Sequence, residues 1–513
     1  MRSLPFVSLI VAAACMTVTA QAGPPIAASR HQTAASLEPW CQALTAVAVP
    51  HGAVTSAAFV PAQGADPEYC RVLATIEPET DLEVRLPTLW AERLLHLGGV
   101  GFDGFIPNLS ANAAELRAGY ALTASNGGHR DPTRGATRFL DNPTLVEDYA
   151  HAAIEKTVRS AKAVITAYYG RPATYSYFSG CSNGGREALN AAAHYGDEYD
   201  GVIAGAPAVE LPGLVSRWTY ASRLTAPSPA KLAAVNQAQI AACDTLDGLA
   251  DGNVSNPDAC HFDPASLRCA PNENGPTCLT DQEIESVQTL RADLTLENGR
   301  LVYPRYGIGN PGTGLGVFMP VAGPGTPTFS SNLSRGFLPF VVYNDATYNP
   351  ATYDVQFDLR TVVNALERTY DFSANANPLA RFLRSGKKVI VWQGTEDTLI
   401  SPVATATAYQ RLTRRAGHDA DNARLYTLPA VQHCGGGTGV NRFDFIAALA
   451  KWVEDGHEPR TLIGSRTDAA GTPLFTRPIC EFPRYPRYDG RGNPNDAGSF
   501  TCVGSGRHFK NDD

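Results

Sequence analysis

The sequence has no excess of positive charge, because 42 Lys and Arg face 50 Asp and Glu and leave a formal net charge of −8. Without a basic surface, the chain does not suit a nucleic acid partner. The apolar run within the first 16 residues is too short to span a bilayer and no later run is long enough, so we expect no membrane span. The 11 cysteines include no Cys-x-x-Cys pair, which argues against zinc and thiol-exchange sites.

The rest of the composition is that of an ordinary globular protein, with 44% hydrophobic and 18% charged residues. A chain of 513 residues exceeds the size at which a single hydrophobic core stops growing. We therefore expect a large core that carries a second domain or a large insertion.

The first 22 residues have the pattern of an export signal. Arg2 supplies a positive start, residues 4–16 form an apolar run, and Ala20-Gln21-Ala22 has the small-x-small form of a cleavage site. A second possibility is that Cys15, which follows three alanines, becomes a lipid-modified N-terminus. We predict a signal peptide over residues 1–22 and a secreted or periplasmic protein.

Removal of this signal also removes Cys15 and leaves ten cysteines. An even number of cysteines in an exported chain indicates disulfides, whereas buried reduced cysteines suit a cytosolic protein better. The ten are Cys41, Cys70, Cys181, Cys243, Cys260, Cys269, Cys278, Cys434, Cys480 and Cys502.

One segment has the order strand, tight turn, helix, strand. Residues 175–178 are strand-like, residues 186–195 form an alanine-rich helix, and residues 202–207 look like the next buried strand. This order implies a parallel sheet with helical crossovers, and hence an α/β fold.

The α/β pattern occupies two separate parts of the chain. We assign residues 23–211 to the first part of the core and residues 372–513 to its second part with a C-terminal tail. Residues 212–371, between them, are rich in Pro, Gly, Asn and Thr and contain four clustered cysteines. We predict a loop-rich inserted domain there.

A serine lies at the turn of the strand–turn–helix unit, in Gly180-Cys181-Ser182-Asn183-Gly184-Gly185. Gly-x-Ser-x-Gly between a strand and a helix is typical of a nucleophile elbow, in which the hydroxyl is raised above the sheet. Glycines suit this turn because a Cβ would collide with the neighbouring strand and helix. We predict Ser182 as a nucleophile and the backbone N–H of Asn183 as one donor to an oxyanion.

The second oxyanion donor is expected on a loop after an early strand. The glycine-rich residues Gly98 to Gly104 directly follow a strand-like segment. Gly99 is the candidate donor, and the alternative is that these glycines only form a flexible turn.

A serine nucleophile needs an acid and a base that follow it in the order Ser…Asp/Glu…His. Strand 388–393 ends at Gly394-Thr395-Glu396-Asp397, so Asp397 is the predicted acid and Glu396 the alternative. His433, on a loop between a later strand and the last helix, is the predicted base. The other histidines after Asp397 have surroundings typical of surface residues; they are His418, His457 and His508.

Two cysteines adjoin the predicted nucleophile and base. Cys181 directly precedes Ser182, and Cys434 directly follows His433. A disulfide holds its Cα atoms roughly 4.4–6.8 Å apart. A Cys181–Cys434 bond would therefore bring Ser182 and His433 close together, whereas the alternative is chance adjacency.

The stretch Gly-Cys-Ser-Asn-Gly-Gly-Arg, the decapeptide of residues 199–208 and the pair His433-Cys434 resemble the tannase and feruloyl esterase family. The resemblance covers about residues 41–502. It implies an α/β-hydrolase fold with a large inserted lid, for which the 215 residues between Ser182 and Asp397 (397 minus 182) leave room. The family pattern also implies three disulfides, namely Cys41–Cys70, Cys269–Cys278 and Cys480–Cys502.

The resemblance further implies a structural calcium ion in the lid. Three carboxylates on one short, Gly-bent loop suit Ca²⁺ independently of the resemblance, although the spacing is not that of an EF-hand. The alternative is a solvated acidic loop. Cys243 and Cys260 bracket the loop and are expected to bond. The implied ligands are the side chains of Asp244, Asp247 and Asp251 with the carbonyls of Leu249 and Asn253.

The substrates implied by the resemblance are esters of aromatic acids, such as feruloyl, galloyl and small terephthalate esters. The terephthalate hydrolase of the family has Glu after its serine and Phe three places after its aspartate. This chain has Asn183 and Ile400 there, which weakens the case for that substrate. Four lid aromatics could line an aromatic pocket, although we favour core packing; they are Phe337, Phe340, Tyr343 and Tyr348.

We therefore predict an exported serine esterase of small aromatic esters, with the triad Ser182, Asp397 and His433. Calcium in the lid is the expected cofactor, and no organic cofactor is expected. Two other classes fit the same residues. One is a peptidase or acyltransferase with the same triad, and the other is a catalytically silent binding protein on a hydrolase fold.

Overall fold

The structure is a computed structural model that describes residues 34–131, 139, 142–307 and 373–504, with single positions at 328, 333, 347, 349, 352 and 354. The predicted signal over residues 1–22, Cys15 and His508 lie outside these ranges. The four lid aromatics also lie outside them, namely Phe337, Phe340, Tyr343 and Tyr348.

Sixteen strands are present in the described residues. They are β1 (Ala48–Val49), β2 (Gly52–Val60), β3 (Tyr69–Ile76), β4 (Thr80–Pro87), β5 (Arg93–Leu97), β6 (Tyr120–Ser125), β7 (Tyr175–Cys181), β8 (Gly201–Gly205), β9 (Leu294–Thr295), β10 (Leu301–Tyr303), β11 (Lys388–Gly394), β12 (Ala423–Leu428), β13 (Thr461–Thr467), β14 (Pro473–Cys480), β15 (Arg484–Tyr488) and β16 (Phe500–Gly504).

Ten of these strands form one sheet in the order β1-β2-β3-β4-β6-β5-β7-β8-β11-β12. Strands β1 to β4 pair antiparallel, as do β4 and β6. From β6 through β5, β7, β8 and β11 to β12, every pairing is parallel. Because parallel neighbours need crossover connections, helices cover both faces of this half of the sheet. The predicted α/β-hydrolase fold is confirmed.

Eleven α-helices lie in the same residues, and α3 and α4 are joined by a π-helical turn over Asp148–Ala152. The helices are α1 (Ala34–Ala43), α2 (Ala113–Arg117), α3 (Pro143–Glu147), α4 (Ala153–Tyr169), α5 (Asn183–His194), α6 (Leu211–Ala221), α7 (Pro229–Cys243), α8 (Asp281–Leu290), α9 (Ala376–Arg384), α10 (Pro402–Ala416) and α11 (Phe445–Asp455).

The two faces of the sheet pack against two apolar cores. Successive side chains of a strand point to opposite faces, so Tyr177 and Phe178 of β7 enter different cores. Helices α4, α5, α9 and α10 cover the Phe178 side, for example through Val158 of α4. Helix α11 covers the Tyr177 side through Leu449 and Trp452. The loops at the ends of the parallel strands are thus anchored by a sheet that is packed on both faces.

The segment between β8 and β11 contributes no strand to the central sheet within its described residues. It contains α6, α7, α8 and the β9–β10 hairpin. This arrangement is that of an insertion into the hydrolase core. The exact boundaries of the lid, 212 and 371, stay a prediction.

All five predicted disulfides are confirmed, with Cα–Cα distances between 4.8 and 5.9 Å. They are Cys41–Cys70, Cys181–Cys434, Cys243–Cys260, Cys269–Cys278 and Cys480–Cys502. The last bond joins two hairpins, β13–β14 and β15–β16, which form the C-terminal tail. Five disulfides are typical of an oxidising compartment. In the described ranges, no helix is long and apolar enough to cross a membrane.

Candidate active site

Ser182 lies at a sharp turn between β7 and α5. Its backbone has φ 65° and ψ −122°, a strained conformation for a residue with a Cβ. Neighbouring glycines permit the turn, because a Cβ on Gly180 would lie 2.4 Å from the carbonyl oxygen of Gly184. The turn sets the serine at the end of a central parallel strand, as the nucleophile-elbow pattern predicts.

Asp397 and His433 form a hydrogen-bonded pair at the ends of β11 and β12. His433 Nδ1 lies 2.8 Å from Asp397 Oδ2. The carboxylate is 1% exposed and accepts further hydrogen bonds; the donors are the backbone N–H groups of Leu399 at 2.8 Å and Ile400 at 2.9 Å and the side-chain amide of Gln393 at 2.9 Å. These donors stabilise the charge of Asp397 and fix its orientation.

Glu396, the alternative acid, has different surroundings. Its burial raises the pKa of the carboxyl group to about 7. In the described residues, Asp397 and not Glu396 accepts the hydrogen bond from His433 Nδ1. The geometry therefore favours Asp397 as the partner of the imidazole.

The Cys181–Cys434 disulfide brings the serine and histidine loops together. Its Cα atoms lie 5.9 Å apart, and Ser182 and His433 are the residues that adjoin it. His433 Nε2 lies 3.7 Å from Cys434 Sγ. No Ser182–His433 hydrogen bond is present within the described residues; catalytic hydrogen bonds of this type often tighten only when substrate is bound.

The predicted oxyanion donors are placed differently. Asn183 is the first residue of α5, so its N–H is one of those that a helix leaves unpaired. The prediction for Gly99 is contradicted, because its N–H donates to Glu187 Oε2 at 2.8 Å and is therefore occupied. The next N–H of the loop, that of Val100, has no hydrogen-bond acceptor among the described residues.

The side chain of Asn183 points into the protein and is the centre of a buried hydrogen-bond network. It is 3% exposed. Its Oδ1 accepts from Tyr149 at 3.1 Å and from Arg186 Nε at 2.8 Å. Its Nδ2 donates to Asp103 Oδ2 at 2.8 Å and to Glu187 Oε1 at 3.4 Å. Sequence reasoning missed this network, since no motif marks the contacts to Asp103 and Tyr149, which lie 80 and 34 residues away in the chain.

The described part of the lid holds the loop that carries Asp397. Trp218 Nε1 donates to the carbonyl of Leu399 at 3.0 Å, and the hydroxyl of Tyr306 donates to the same oxygen at 3.3 Å. The N–H of Ser401 donates to the hydroxyl of Tyr303 at 3.3 Å. These positioning contacts were also missed, because the lid sequence lacks the periodicity that predicts packing.

The predicted calcium loop lies between α7 and Cys260. The carboxylate of Asp244 accepts from the N–H of Gly252 at 2.9 Å. Asp247 is buried, and burial raises the pKa of its carboxyl group. The carboxylate of Asp251 pairs with Arg477 at 2.7 Å.

The same loop is closed by a disulfide and hydrogen bonds to the loop that carries His433. The Cys243–Cys260 disulfide closes it, with a Cα–Cα distance of 5.2 Å. Asn253 Oδ1 accepts from the hydroxyl of Thr438, on the loop that carries His433, at 2.7 Å. Throughout the described ranges, no three His, Cys, Asp or Glu side chains converge as metal ligands. Calcium binding by this loop stays a prediction.

The parallel sheet, the serine at the β7–α5 turn and the Asp397–His433 pair are the features of an α/β-hydrolase. Feruloyl esterase B from Aspergillus oryzae has a similar structure. The two superpose with a TM-score of 0.81 at 26% identity, over 91% of this chain and 100% of that chain.

Residues 68–503 match the family of tannase and feruloyl esterase, and the chain belongs to this family. It is accordingly a carboxylic ester hydrolase. A probable feruloyl esterase of Arthroderma benhamiae is 33% identical over 450 residues, which cover 82% of this chain and 81% of that protein. A mono(2-hydroxyethyl) terephthalate hydrolase of Piscinibacter sakaiensis is 28% identical over 517 residues, which cover 85% of each.

Proposed function

We propose that this chain is an exported serine esterase that hydrolyses esters of aromatic acids, such as feruloyl or galloyl esters. The observation that carries the proposal is the Asp397–His433 hydrogen bond of 2.8 Å, held beside Ser182 by the Cys181–Cys434 disulfide. The names of the related feruloyl esterases support the aromatic acid as the acyl group.

The reaction is acyl transfer in two steps. With its Nδ1–H donated to Asp397, the imidazole of His433 presents Nε2 as the base that takes the proton of Ser182. The serine oxygen attacks the ester carbonyl, and the imidazolium then gives its proton to the leaving alcohol. Water activated by the same imidazole releases the aromatic acid and restores the serine.

Backbone N–H groups stabilise the negative oxygen of each tetrahedral intermediate. Asn183 supplies one from the N-terminus of α5, where the helix dipole also favours negative charge. Val100 supplies the second in place of Gly99, whose N–H already donates to Glu187. The glycine loop, residues 98–104, and the N-terminus of α5 thus each supply one N–H group to the oxyanion site.

The direct test is the Ser182→Ala variant on a panel of feruloyl, galloyl and terephthaloyl methyl esters. The variant is expected to lose turnover of every ester and to keep its unfolding midpoint, since Ser182 has no structural hydrogen bond through its side chain in the described contacts. Undiminished hydrolysis by this variant would refute the mechanism.

Two further measurements separate the other classes. A serine-directed phosphonate labels an active hydrolase at Ser182 and leaves a silent binding protein unlabelled. Peptides and competing acyl acceptors in the same assay identify a peptidase or an acyltransferase.

Terephthalate monoesters are a second candidate substrate. The two positions that differ from the terephthalate hydrolase, Asn183 and Ile400, are both buried. Similarity to the terephthalate hydrolase over 85% of the chain favours a terephthalate monoester as a substrate to be tested. The ratio of kcat/KM values for terephthaloyl and feruloyl esters distinguishes the two.

The proposal includes a structural calcium ion at the loop of residues 244–253 and export from the cytoplasm. Two buried carboxylates, Asp244 and Asp247, support the calcium ion, because a divalent cation would offset the cost of burying their charges. A cation at this loop would compete with Arg477 for Asp251. Five disulfides and the pattern of residues 1–22 support export to an oxidising compartment.

A further inference from the structure

Two acidic side chains lie buried next to each other behind the glycine loop that follows β5. Asp103, on this loop, is 1% exposed, and Glu187, in the second turn of α5, is 7% exposed. One side-chain amide, that of Asn183, donates to both, at 2.8 Å to Asp103 and 3.4 Å to Glu187. This shared donor holds the two carboxyl groups side by side. They form one compact polar site.

No ion pair neutralises either carboxyl group among the described residues. The guanidinium of Arg186 is close enough to act on Asp103 electrostatically. Within the described residues, however, it donates hydrogen bonds to uncharged oxygens of Asn183, Ala150 and Tyr149. One nearby cation balances one negative charge, so a second ionised carboxylate would be uncompensated.

The other titratable groups that face the pair carry no positive charge. His129, in the loop that packs Gly127 against Asp103, is buried, which lowers its pKa to about 4 and leaves it neutral at pH 7. Tyr149 and Tyr199 lie close to the pair, and burial raises the pKa of both hydroxyls, so they also stay neutral.

Adjacent carboxyl groups in a buried site do not both ionise, because their charges repel and neither is solvated. Burial and the neighbouring Glu187 raise the pKa of Asp103 well above its ordinary value, against smaller opposing effects of Arg186 and Asn183. In the described residues no N–H or O–H group bonds to Oδ1 of Asp103. A proton on this oxygen, donated to Glu187, gives Oδ1 a hydrogen-bond partner.

We propose that Asp103 and Glu187 share one proton at neutral pH and that the pair positions the glycine loop against α5. Asp103 donates the shared proton to the carboxylate of Glu187, whose Oε2 accepts the N–H of Gly99 at 2.8 Å. The loop is therefore tied to the helix that begins directly after Ser182. Both are positioning residues, and their effect on turnover rests on the proposed serine mechanism.

The fit between the loop and the pair is close. A Cβ on Gly99 would lie 1.8 Å from Asp103 Oδ1, and a Cβ on Gly98 would lie 2.6 Å from the Cα of Gly184 in α5. Any shift of Glu187 therefore moves the Gly98–Gly99 backbone relative to the N-terminus of α5. A second negative charge would also weaken the positive potential that the N–H groups offer to an oxyanion.

Infrared difference spectroscopy tests the shared proton without depending on activity. In wild-type-minus-variant difference spectra at pH 7, the carbonyl stretch of a protonated carboxyl group is expected for both Asp103→Asn and Glu187→Gln. The carboxyl group of Glu396, whose pKa burial raises to about 7, contributes equally to each spectrum and cancels from the difference. In either variant the amide can donate to the remaining carboxylate. Glu83→Gln is the matched control: Glu83 is 4% exposed but pairs with Arg71 and Arg85, which lower its pKa, so no such band is expected to disappear. Equal bands in wild type and both pair variants would overturn the shared proton.

Kinetics test the positioning role on an aromatic methyl ester. Glu187→Leu removes the acceptor of the Gly99 N–H and is expected to lower kcat by roughly 10- to 100-fold with little change in KM. Glu187→Gln keeps an acceptor oxygen and is expected to restore most of kcat. Wild-type kcat in Glu187→Leu, or equal losses in the Leu and Gln variants, would overturn the positioning role. If the wild-type protein hydrolyses no ester, the proposed function fails, while the infrared result still decides whether the proton is shared.

Discussion

The double variant Cys181→Ala/Cys434→Ala is expected to lose both stability and turnover. This disulfide joins the residue before the proposed nucleophile to the residue after the proposed base, with Cα atoms 5.9 Å apart. Alanine removes the bond without adding a hydroxyl group beside Ser182. The expected losses have separate physical origins, so each can be worked out from the structure.

The loss of stability follows from the loop that the bond closes. Its cysteines are 253 residues apart, and the chain-entropy relation for this length gives about 5 kcal/mol. The Cys243–Cys260 and Cys269–Cys278 bonds lie inside this loop but close only 17 and 9 residues. The entropy depends on the logarithm of length, so they change the value little.

The loss of turnover follows from geometry. Asp397 orients His433 on its own loop, but the disulfide is the covalent link between that loop and the β7–α5 turn. A displacement of about 1 Å between reacting groups costs roughly 100-fold in rate. We expect a fall of this order in kcat, with a smaller change in KM.

The matched control is Cys480→Ala/Cys502→Ala in the C-terminal tail. Its cysteines are 22 residues apart, which corresponds to about 3 kcal/mol of unfolding free energy. This variant is expected to lose stability and to keep its kcat. Urea unfolding and ester hydrolysis at a temperature where both variants remain folded provide the comparison. Wild-type kcat in the Cys181/Cys434 variant, or an equal fall in the tail variant, would refute the reasoning.

Four further predictions follow from named contacts. Trp218→Phe removes a hydrogen bond to Leu399, on the loop that carries Asp397, and is expected to lower kcat about tenfold. An unchanged kcat would show that this contact from the lid does not position Asp397. Burial raises the pKa of Glu396 to about 7, above its ordinary 4.5, so the wild type should lose up to about 3 kcal/mol of unfolding free energy between pH 4.5 and 7, and Glu396→Gln should not. Urea unfolding of both proteins across this range tests the prediction, and the same dependence of unfolding free energy on pH in both would contradict it. Chelation with EDTA should lower the thermal midpoint of the wild type but not of an Asp247→Asn variant, and equal midpoints with and without EDTA would exclude the calcium ion. Asn183→Glu adds a carboxyl group beside Asp103 and should lower unfolding free energy by roughly 2 kcal/mol or more; wild-type stability in denaturant would contradict the buried network.

The sequence predicts much of the fold because the relevant signals are local. A buried strand, a glycine-flanked serine, an alanine-rich helix and a second buried strand follow one another within residues 175–207, and this order implies a parallel crossover. Asp397 and His433 are predictable for the same reason, since each follows a short apolar strand. The positions of Cys181 and Cys434 add long-range information, because a disulfide restricts the distance between two distant segments.

The packing of side chains around the site is not predictable in this way. The N–H of Gly99 bonds to Glu187, 88 residues later, and this contact depends on the rotation of α5 against the glycine loop. The apolar spacing of residues 146–169 indicates a single helix, but the structure has a π-helical turn over Asp148–Ala152. The carbonyls of Tyr149 and Ala150 in this turn accept from Arg186. Helical periodicity gives no sign of such a turn, which functional sites often contain.

Asn183 and Ile400, the two positions that differ from the terephthalate hydrolase, lie near Ser182 and Asp397 in the sequence, which suggests contact with a substrate. Asn183 directly follows the proposed nucleophile and Ile400 lies three residues after the proposed acid. The side chain of Asn183 nevertheless makes four buried hydrogen bonds, and Ile400 packs in the core. Changes at these positions alter the charge and packing beneath the serine turn and the acid loop, and so affect kcat for every ester together. We expect discrimination between esters to depend on side chains that contact the acyl group, and we propose that the lid inserted between β8 and β11 supplies them.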